Sequence, residues 1–219
     1  GRASNHYKCI LRTSFGYDKI VRHLHLPRQS GSNSVLKRMR RKYTMEFFAD
    51  RLTKLKKALP GLAVTSDVIV GFPGETEEEF METYNFIKEH KFSELHVFPY
   101  SKRTGTPAAR MDGQVDENVK NERVHKLIAL SDQLAKEYAS DYEGDVLEII
   151  PEEPFTETGE GNLLVGYTDN YMKVVFEGSE DLIGQLVKVK ILKAGYPYNK
   201  GQFVRVAEDD VRENIRLSS

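Results

Sequence analysis

A glycine-containing turn follows the most apolar run of the sequence and is the first candidate for chemistry. The run from Leu62 to Val70 is almost continuously apolar and β-branched, which is typical of a strand buried on both faces. Gly71 and Gly74 then predict a tight turn, and Thr76 with Glu79 forms a capping box that starts a helix. Strand ends and helix N-termini expose backbone N–H groups, so ligands bind there. An ordinary strand-to-helix connection without a ligand is the alternative.

Two other chemistries are conceivable in this part of the chain. Phosphate could bind at the helix N-terminus, but the four glutamates between Glu75 and Glu79 would repel it, and the helix dipole explains them better. His23 and His25 lie two residues apart, so in a strand they share one face, as a metal pair would. No third ligand follows at a useful spacing, and the sequence predicts no metal site in this chain.

The residues from Ser34 to Leu59 form a strongly basic segment. They include nine lysines and arginines against Glu46 and Asp50, a net charge of +7. A solvated helix face is the ordinary explanation of such a run, and contact with phosphate or RNA is the more specific, functional explanation.

Strands and helices alternate in the first part of the chain. Short connections between them predict parallel strands with right-handed crossovers, and therefore an α/β fold. The predicted strands are 21–27, 62–70 and 93–100. One predicted helix begins near residue 35, and three others span 44–59, 76–90 and 117–142.

The composition changes near Gly144, where helix-length patterns end. Five short β-rich runs follow, at 146–150, 163–167, 172–176, 187–192 and 202–206. They predict a small antiparallel β-barrel, so we divide the chain into domains at 1–142 and 143–206 with a tail at 207–219. This module holds eleven acidic and six basic residues, so RNA would have to bind through local groups. The candidates are Lys188, Lys190, Lys193, Tyr167 and Tyr171.

Composition narrows the class of protein further. The 219 residues are 39% apolar and 30% charged with a net charge of −1, which argues against wholesale attraction to nucleic acid. No apolar run has the length of a membrane span, and no signal-peptide pattern opens the chain. A single cysteine, Cys9, excludes an internal disulfide and fits a cytoplasmic location.

Three stretches in order carry a resemblance to a known family. They read H-L-H-L-P-R-Q-S-G-S-N-S-V-L-K-R-M-R-R-K-Y-T at 23–44, V-I-V-G-F-P-G-E-T at 68–76 and H-V-F-P-Y-S-K-R-T-G-T-P-A-A-R-M at 96–111. Together they resemble the radical S-adenosylmethionine (SAM) methylthiotransferases, most closely the branch that acts on threonylcarbamoyladenosine in tRNA. The module after 143 resembles that family's TRAM domain. The resemblance implies the C-terminal part of a radical-SAM (β/α) barrel followed by a TRAM β-barrel.

The resemblance implies a specific activity and specific cofactors. Members of the family use SAM and two [4Fe–4S] clusters to place a methylthio group on C2 of an adenosine beside the tRNA anticodon. One cluster, held by a C-x-x-x-C-x-x-C loop, cleaves SAM, and the protein orients the cofactor and shields the radical from water.

The family motifs also imply which residues contact SAM. Gln29, Ser30 and Ser32 match the turn over the cofactor's polar groups, and Arg41 matches a basic residue suited to its carboxylate. The remaining matches are two strand ends that line the cofactor pocket: Val70, Gly71, Phe72, Pro73, Gly74 and Glu75 on the first, and Phe98, Tyr100 and Ser101 on the second.

This sequence departs from the family pattern in its cysteines. Cys9 has no partner at the spacing of the cluster loop, so we assign no iron ligand and expect the chain alone to be an inactive fragment of such an enzyme. Arg28 stands where the family usually has an apolar residue. Two alternatives remain: a tRNA-binding module without catalysis, and the sister branch that modifies a ribosomal protein.

Overall fold

The computed structural model describes residues 21–156 and 161–207. Within it the chain divides into two compact units between Leu134 and Ala135. The boundary predicted at 142 stays a prediction, as do the interpretations of Cys9 and of the tail after residue 207, which lie outside the described residues.

The first unit is built on a three-stranded parallel sheet in the order β1–β2–β3. The strands are β1 (His23–His25), β2 (Ala63–Val70) and β3 (Glu94–Pro99), and the helices are α1 (Asn33–Arg38), α2 (Met45–Ala58) and α3 (Glu77–Glu89). A fourth helix, α4 (Glu117–Ser140), begins in this unit and continues beyond its last residue, Leu134. The predicted α/β order and parallel pairing are confirmed. Thr76 and Glu79 form the predicted capping box at the start of α3.

The two faces of this sheet differ in chemistry. One face belongs to an apolar core in which Val64, Val68 and Leu95 pack with helix residues such as Leu52 and Phe80. The other face is polar. It carries His23, His25, Thr65, Asp67 and His96, which the strand registers and side-chain hydrogen bonds bring together. The prediction that β2 is buried on both faces therefore fails at Asp67 and Ile69, which are only half-buried because they lie on this second face.

The second unit contains a closed five-stranded barrel in the order β4–β5–β6–β8–β7. Its strands are β4 (Val146–Pro154), β5 (Leu163–Thr168), β6 (Lys173–Glu177), β7 (Val187–Lys193) and β8 (Asn199–Val206). The predicted barrel is confirmed with one difference, since β6 pairs with β8 in parallel. Strand direction cannot alternate around a ring with an odd number of strands, so at least one neighbouring pair must be parallel.

The barrel core is filled by alternate strand residues. Ile149, Leu164, Val187, Val189 and Ile191 are almost completely buried, whereas Lys188 and Lys190, which alternate with the apolar residues of β7, lie on the outer face. No helix of the described residues has both the length and the hydropathy needed to cross a membrane.

Candidate functional site

A cavity of about 620 Å³ lies where the strands of the first unit end. This volume falls in the usual range of small-molecule sites. Apolar side chains and a few polar groups line it together, as is common in such sites: Gln29, Arg38, Met39, Arg40, Arg41, Ile69, Phe72, Tyr100, Thr106, Pro107, Ala108 and Met111.

Backbone hydrogen bonds bring the three strand ends to this cavity. The Gln29 N–H donates to the Asp67 carbonyl at 2.9 Å, and the Gln29 carbonyl accepts from Ile69 at 2.8 Å. Tyr100 N–H donates to the Val70 carbonyl at 2.8 Å. Gln29 has a φ of 73°, an uncommon conformation for a residue other than glycine, and such strain concentrates at ligand sites. The structure thus places Gln29, Phe72 and Tyr100 in the lining of one cavity.

The turn after β2 is held by a buried ion pair. Glu75 accepts a hydrogen bond from the Gly71 N–H at 2.5 Å and from Arg123 Nη1 at 2.8 Å. The side chains of Glu75 and Arg123 are 1% and 5% exposed. Burial raises the pKa of Glu75, and the Gly71 N–H and Arg123 oppose this effect. Because Glu75 occupies the Gly71 N–H and Thr76 occupies the Glu79 N–H, these donors are not available to a phosphate.

A second ion pair fixes one of the arginines of the cavity wall. Arg38 Nη1 donates to Glu79 Oε1 at 3.0 Å, and Arg38 Nη2 donates to Glu79 Oε2. This forked contact lowers the pKa of Glu79 to about 2. Arg40 and Arg41 are exposed and have no carboxylate partner among the described ion pairs. The cavity therefore has a basic edge suited to a carboxylate or phosphate ligand.

The residues predicted from the family motifs fall into three groups. Gln29, Arg41, Phe72 and Tyr100 line the cavity. Six others are buried and do not line it: Ser30, Ser32, Val70, Gly71, Pro73 and Glu75. Gly74, Phe98 and Ser101 are exposed and also lie outside its lining.

The buried serines have structural partners. Ser30 Oγ and the Gly31 N–H both bond Thr83 Oγ1 of α3, at 3.2 and 2.9 Å, and Ser32 Oγ bonds Ser34 Oγ. These bonds fix the turn that carries Gln29 and do not leave the two hydroxyls directed at the cavity.

Arg28 faces the helices and not the cavity. Its guanidinium carbon lies 4.0 Å from the ring centres of both Phe48 and Phe86, and the residue is 4% exposed. Cation–π contact explains how a charged side chain occupies this buried position.

Sequence reasoning missed two parts of this region. Eight further residues line the cavity, and the sequence analysis assigns none of them to the pocket although all lie within the three motif stretches: Arg38, Met39, Arg40, Ile69, Thr106, Pro107, Ala108 and Met111. The strand registers also bring Asp67 and His96 to His25, although their spacing in the chain gives no sign of it.

The barrel presents an aromatic pair on its surface. The rings of Tyr167 and Tyr171 stack with centroids 4.9 Å apart and an interplanar angle of 24°. Tyr171 is 52% exposed and has a φ of 66° at the end of a turn that Thr168 and Asn170 stabilise. Exposed rings of this kind can stack on nucleobases. Lys190 and Lys193 are exposed and Lys188 is half-buried.

Comparison with known proteins shows which protein families this chain matches. The Radical SAM superfamily profile matches residues 14–87, and the TRAM domain profile matches residues 141–206. The chain therefore carries part of a radical SAM domain followed by a TRAM domain, in the order that the sequence motifs predicted.

Two curated relatives are similar to most of this chain. The chain is 86% identical over 202 residues to the threonylcarbamoyladenosine tRNA methylthiotransferase MtaB of Bacillus subtilis, with 92% of the chain and 45% of the relative covered. It is 42% identical over 189 residues to the tRNA-2-methylthio-N(6)-dimethylallyladenosine synthase of a Thermoanaerobacter species, covering 86% of the chain and 40% of the relative. The resemblance to the radical SAM methylthiotransferases is thereby confirmed. The chain spans less than half the length of these relatives.

Proposed function

We propose that this chain supplies the SAM pocket and the RNA-binding module of a methylthiotransferase that acts on threonylcarbamoyladenosine in tRNA, in the cytoplasm. The observation that carries the proposal is the cavity of about 620 Å³ at the ends of the three parallel strands, whose lining includes Gln29, Phe72 and Tyr100. The 86% identity to a relative that bears this activity in its name supports the choice of substrate.

The cavity residues fit SAM. Phe72, Ile69 and Met111 supply apolar contact for the adenosyl group, and the Arg41 guanidinium suits the carboxylate. The Tyr100 hydroxyl is buried and has no hydrogen-bond partner among the described residues, so a polar atom of the ligand would satisfy it. The residues of this chain orient the adenosyl group and exclude water from it.

The iron–sulfur clusters do not fit this chain by itself. A radical SAM cluster takes three cysteine ligands, and the 219 residues contain one cysteine. We therefore propose that the chain alone binds SAM without cleaving it.

Binding of S-adenosylhomocysteine, a stable ligand with the same adenosyl and amino-acid groups, tests the pocket. We expect saturable binding by calorimetry and an approximately 10- to 150-fold weaker affinity in Arg41→Met, because a hydrogen bond to a charged group contributes about 1.5–3 kcal/mol. Lys42→Met is the matched control, since Lys42 is exposed and does not line the cavity. Equal affinities in the two variants, or no saturation up to about 1 mM, would contradict the proposed pocket.

Binding of tRNA tests the barrel. Tyr171→Ala removes the exposed ring of the stacked pair, and we expect an approximately 5- to 150-fold loss of affinity, because base–aromatic stacking contributes about 1–3 kcal/mol. Tyr171→Phe keeps the ring and should bind as the unmodified chain does. A fluorescence titration of labelled tRNA at fixed salt measures both variants. If Tyr171→Ala bound tRNA with unchanged affinity, the surface around Tyr167 and Tyr171 would not be part of the tRNA-binding site.

A tRNA-binding module without catalysis is the second candidate, and the single cysteine favours it. Salt-dependent tRNA binding together with no binding of S-adenosylhomocysteine would support it over the enzyme fragment.

A further inference from the structure

A cluster of two histidines and one aspartate lies on the polar face of the parallel sheet. His25, Asp67 and His96 come from β1, β2 and β3, and each offers a ligand atom within 4.8 Å of the other two. Asp67 and His96 are direct register partners, and His25 lies beside Thr65 one step back along the same face. Parallel pairing thus assembles the cluster from three separate segments.

We propose that His25, Asp67 and His96 form a binding site for one divalent first-row transition-metal ion, with Zn²⁺ as the best match. Metal–ligand bonds of about 2.0–2.2 Å place the ligand atoms of a tetrahedral site about 3.3–3.5 Å apart. His25 Nε2 and Asp67 Oδ2 are 3.3 Å apart, so this edge of the tetrahedron already has the required length. His96 is exposed, and because its ligand atom lies within 4.8 Å of the other two, a side-chain movement of at most about 1.5 Å would complete the site.

The hydrogen bonds of His25 prepare it as a ligand. Its Nδ1 lies 3.0 Å from Thr65 Oγ1, which leaves Nε2 directed at Asp67. A ligating histidine usually donates its second N–H to an oxygen in this way, which fixes the ring and its tautomer. Thr65 is 4% exposed, so its hydroxyl holds a fixed position, and the hydroxyl can donate its own hydrogen bond to His23 Nε2 at 3.0 Å.

The ligand set indicates the kind of metal site. Two imidazoles and one carboxylate suit zinc, iron or cobalt and leave at least one coordination position open. The set contains no thiolate, so it is distinct from an iron–sulfur site. The cluster lies close to the cavity, because the Asp67 carbonyl binds Gln29 and Ile69 follows two residues later. An open position there suits an oxygen ligand such as water.

Titration with Co²⁺, followed by visible absorption, tests the site directly. The experiment uses the full chain without a histidine tag and with Cys9→Ser, so that no tag or thiol binds the ion. We expect one equivalent of Co²⁺ with the absorption of a low-symmetry site, and displacement by Zn²⁺. Thr65→Val should keep the stoichiometry and weaken binding by about 10- to 100-fold.

Loss of a ligand should have a larger effect than loss of Thr65. Asp67→Asn and His96→Ala are each expected to abolish the one-equivalent binding, whereas His125→Gln, which changes an exposed histidine on α4, should leave it unchanged. Circular dichroism of each variant verifies that the fold is retained, and His96→Ala is the safest variant because its side chain is exposed. Binding of less than one equivalent of Co²⁺ by the unmodified chain would contradict the proposed site. Equal Co²⁺ affinities of His96→Ala and His125→Gln would also contradict it. Either result would mean that His25 and Asp67 are a hydrogen-bonded pair that binds no metal. The readout does not depend on SAM or RNA.

Discussion

Replacing Arg123 by methionine is expected to lower the free energy of unfolding of the first unit by about 3–5 kcal/mol. The change leaves Glu75, with a side chain only 1% exposed, as a buried carboxylate without its cation. Arg123 also donates to the Glu75 carbonyl and contacts Glu77, so its loss removes several charge-assisted bonds together. Urea unfolding followed by the helical circular dichroism signal measures the effect.

Lys126→Met is the matched control for this prediction. Lys126 lies on the same helix and pairs with Glu77 and Glu122, but its side chain is 43% exposed. Exposed pairs contribute at most about 1 kcal/mol, so we expect a much smaller change. If Arg123→Met were no more destabilising than Lys126→Met, the buried pair would not be the bond that stabilises the turn. Replacing both members in Glu75→Gln/Arg123→Met should restore part of the loss, because no isolated charge is then buried.

The elements of this fold could be predicted because their signals are local. The apolar run before Gly71, the capping box of Thr76 and Glu79, and the alternation in β7 each depend on residues within a few positions of one another. The predicted strands and helices consequently match the observed ones closely. The parallel β6–β8 pair was missed because it follows from closing an odd-membered ring, which no short segment encodes.

The side-chain contacts of the site depend on partners far apart in the sequence. Glu75 and Arg123 are 48 residues apart, and the sequence explained Glu75 through the helix dipole because nothing marks Arg123 as its partner. His25 and Asp67 are 42 residues apart and meet only through the strand register. The family motifs point to the strand ends as one cofactor region, which stays a prediction. They did not distinguish Gln29 and Tyr100, which line the cavity, from Ser30 and Glu75, which stabilise its turns.

The second large effect is expected from Gly71→Ala. Gly71 has a φ of 70°, and a Cβ there would lie 2.4 Å from Lys120 Cγ. The positive φ costs an alanine about 1–2 kcal/mol, and the collision adds about 1–3 kcal/mol of overpacking. Lys120 cannot withdraw freely, because its buried amine donates to the Tyr100 carbonyl at 3.2 Å and to Glu117 at 2.7 Å. We therefore expect unfolding measurements to give a loss of about 2–5 kcal/mol.

Gly105→Ala separates the two causes of that loss. Gly105 has a φ of 86°, but no atom lies within 4 Å of its Cβ position, so only the backbone cost applies. The difference between the two variants therefore measures the collision with Lys120. A double-mutant cycle with Lys120→Ala should recover that difference, since the change removes the colliding atom. If Gly71→Ala and Gly105→Ala cost the same, Lys120 would be able to move, and glycine would be required at 71 for its backbone conformation alone.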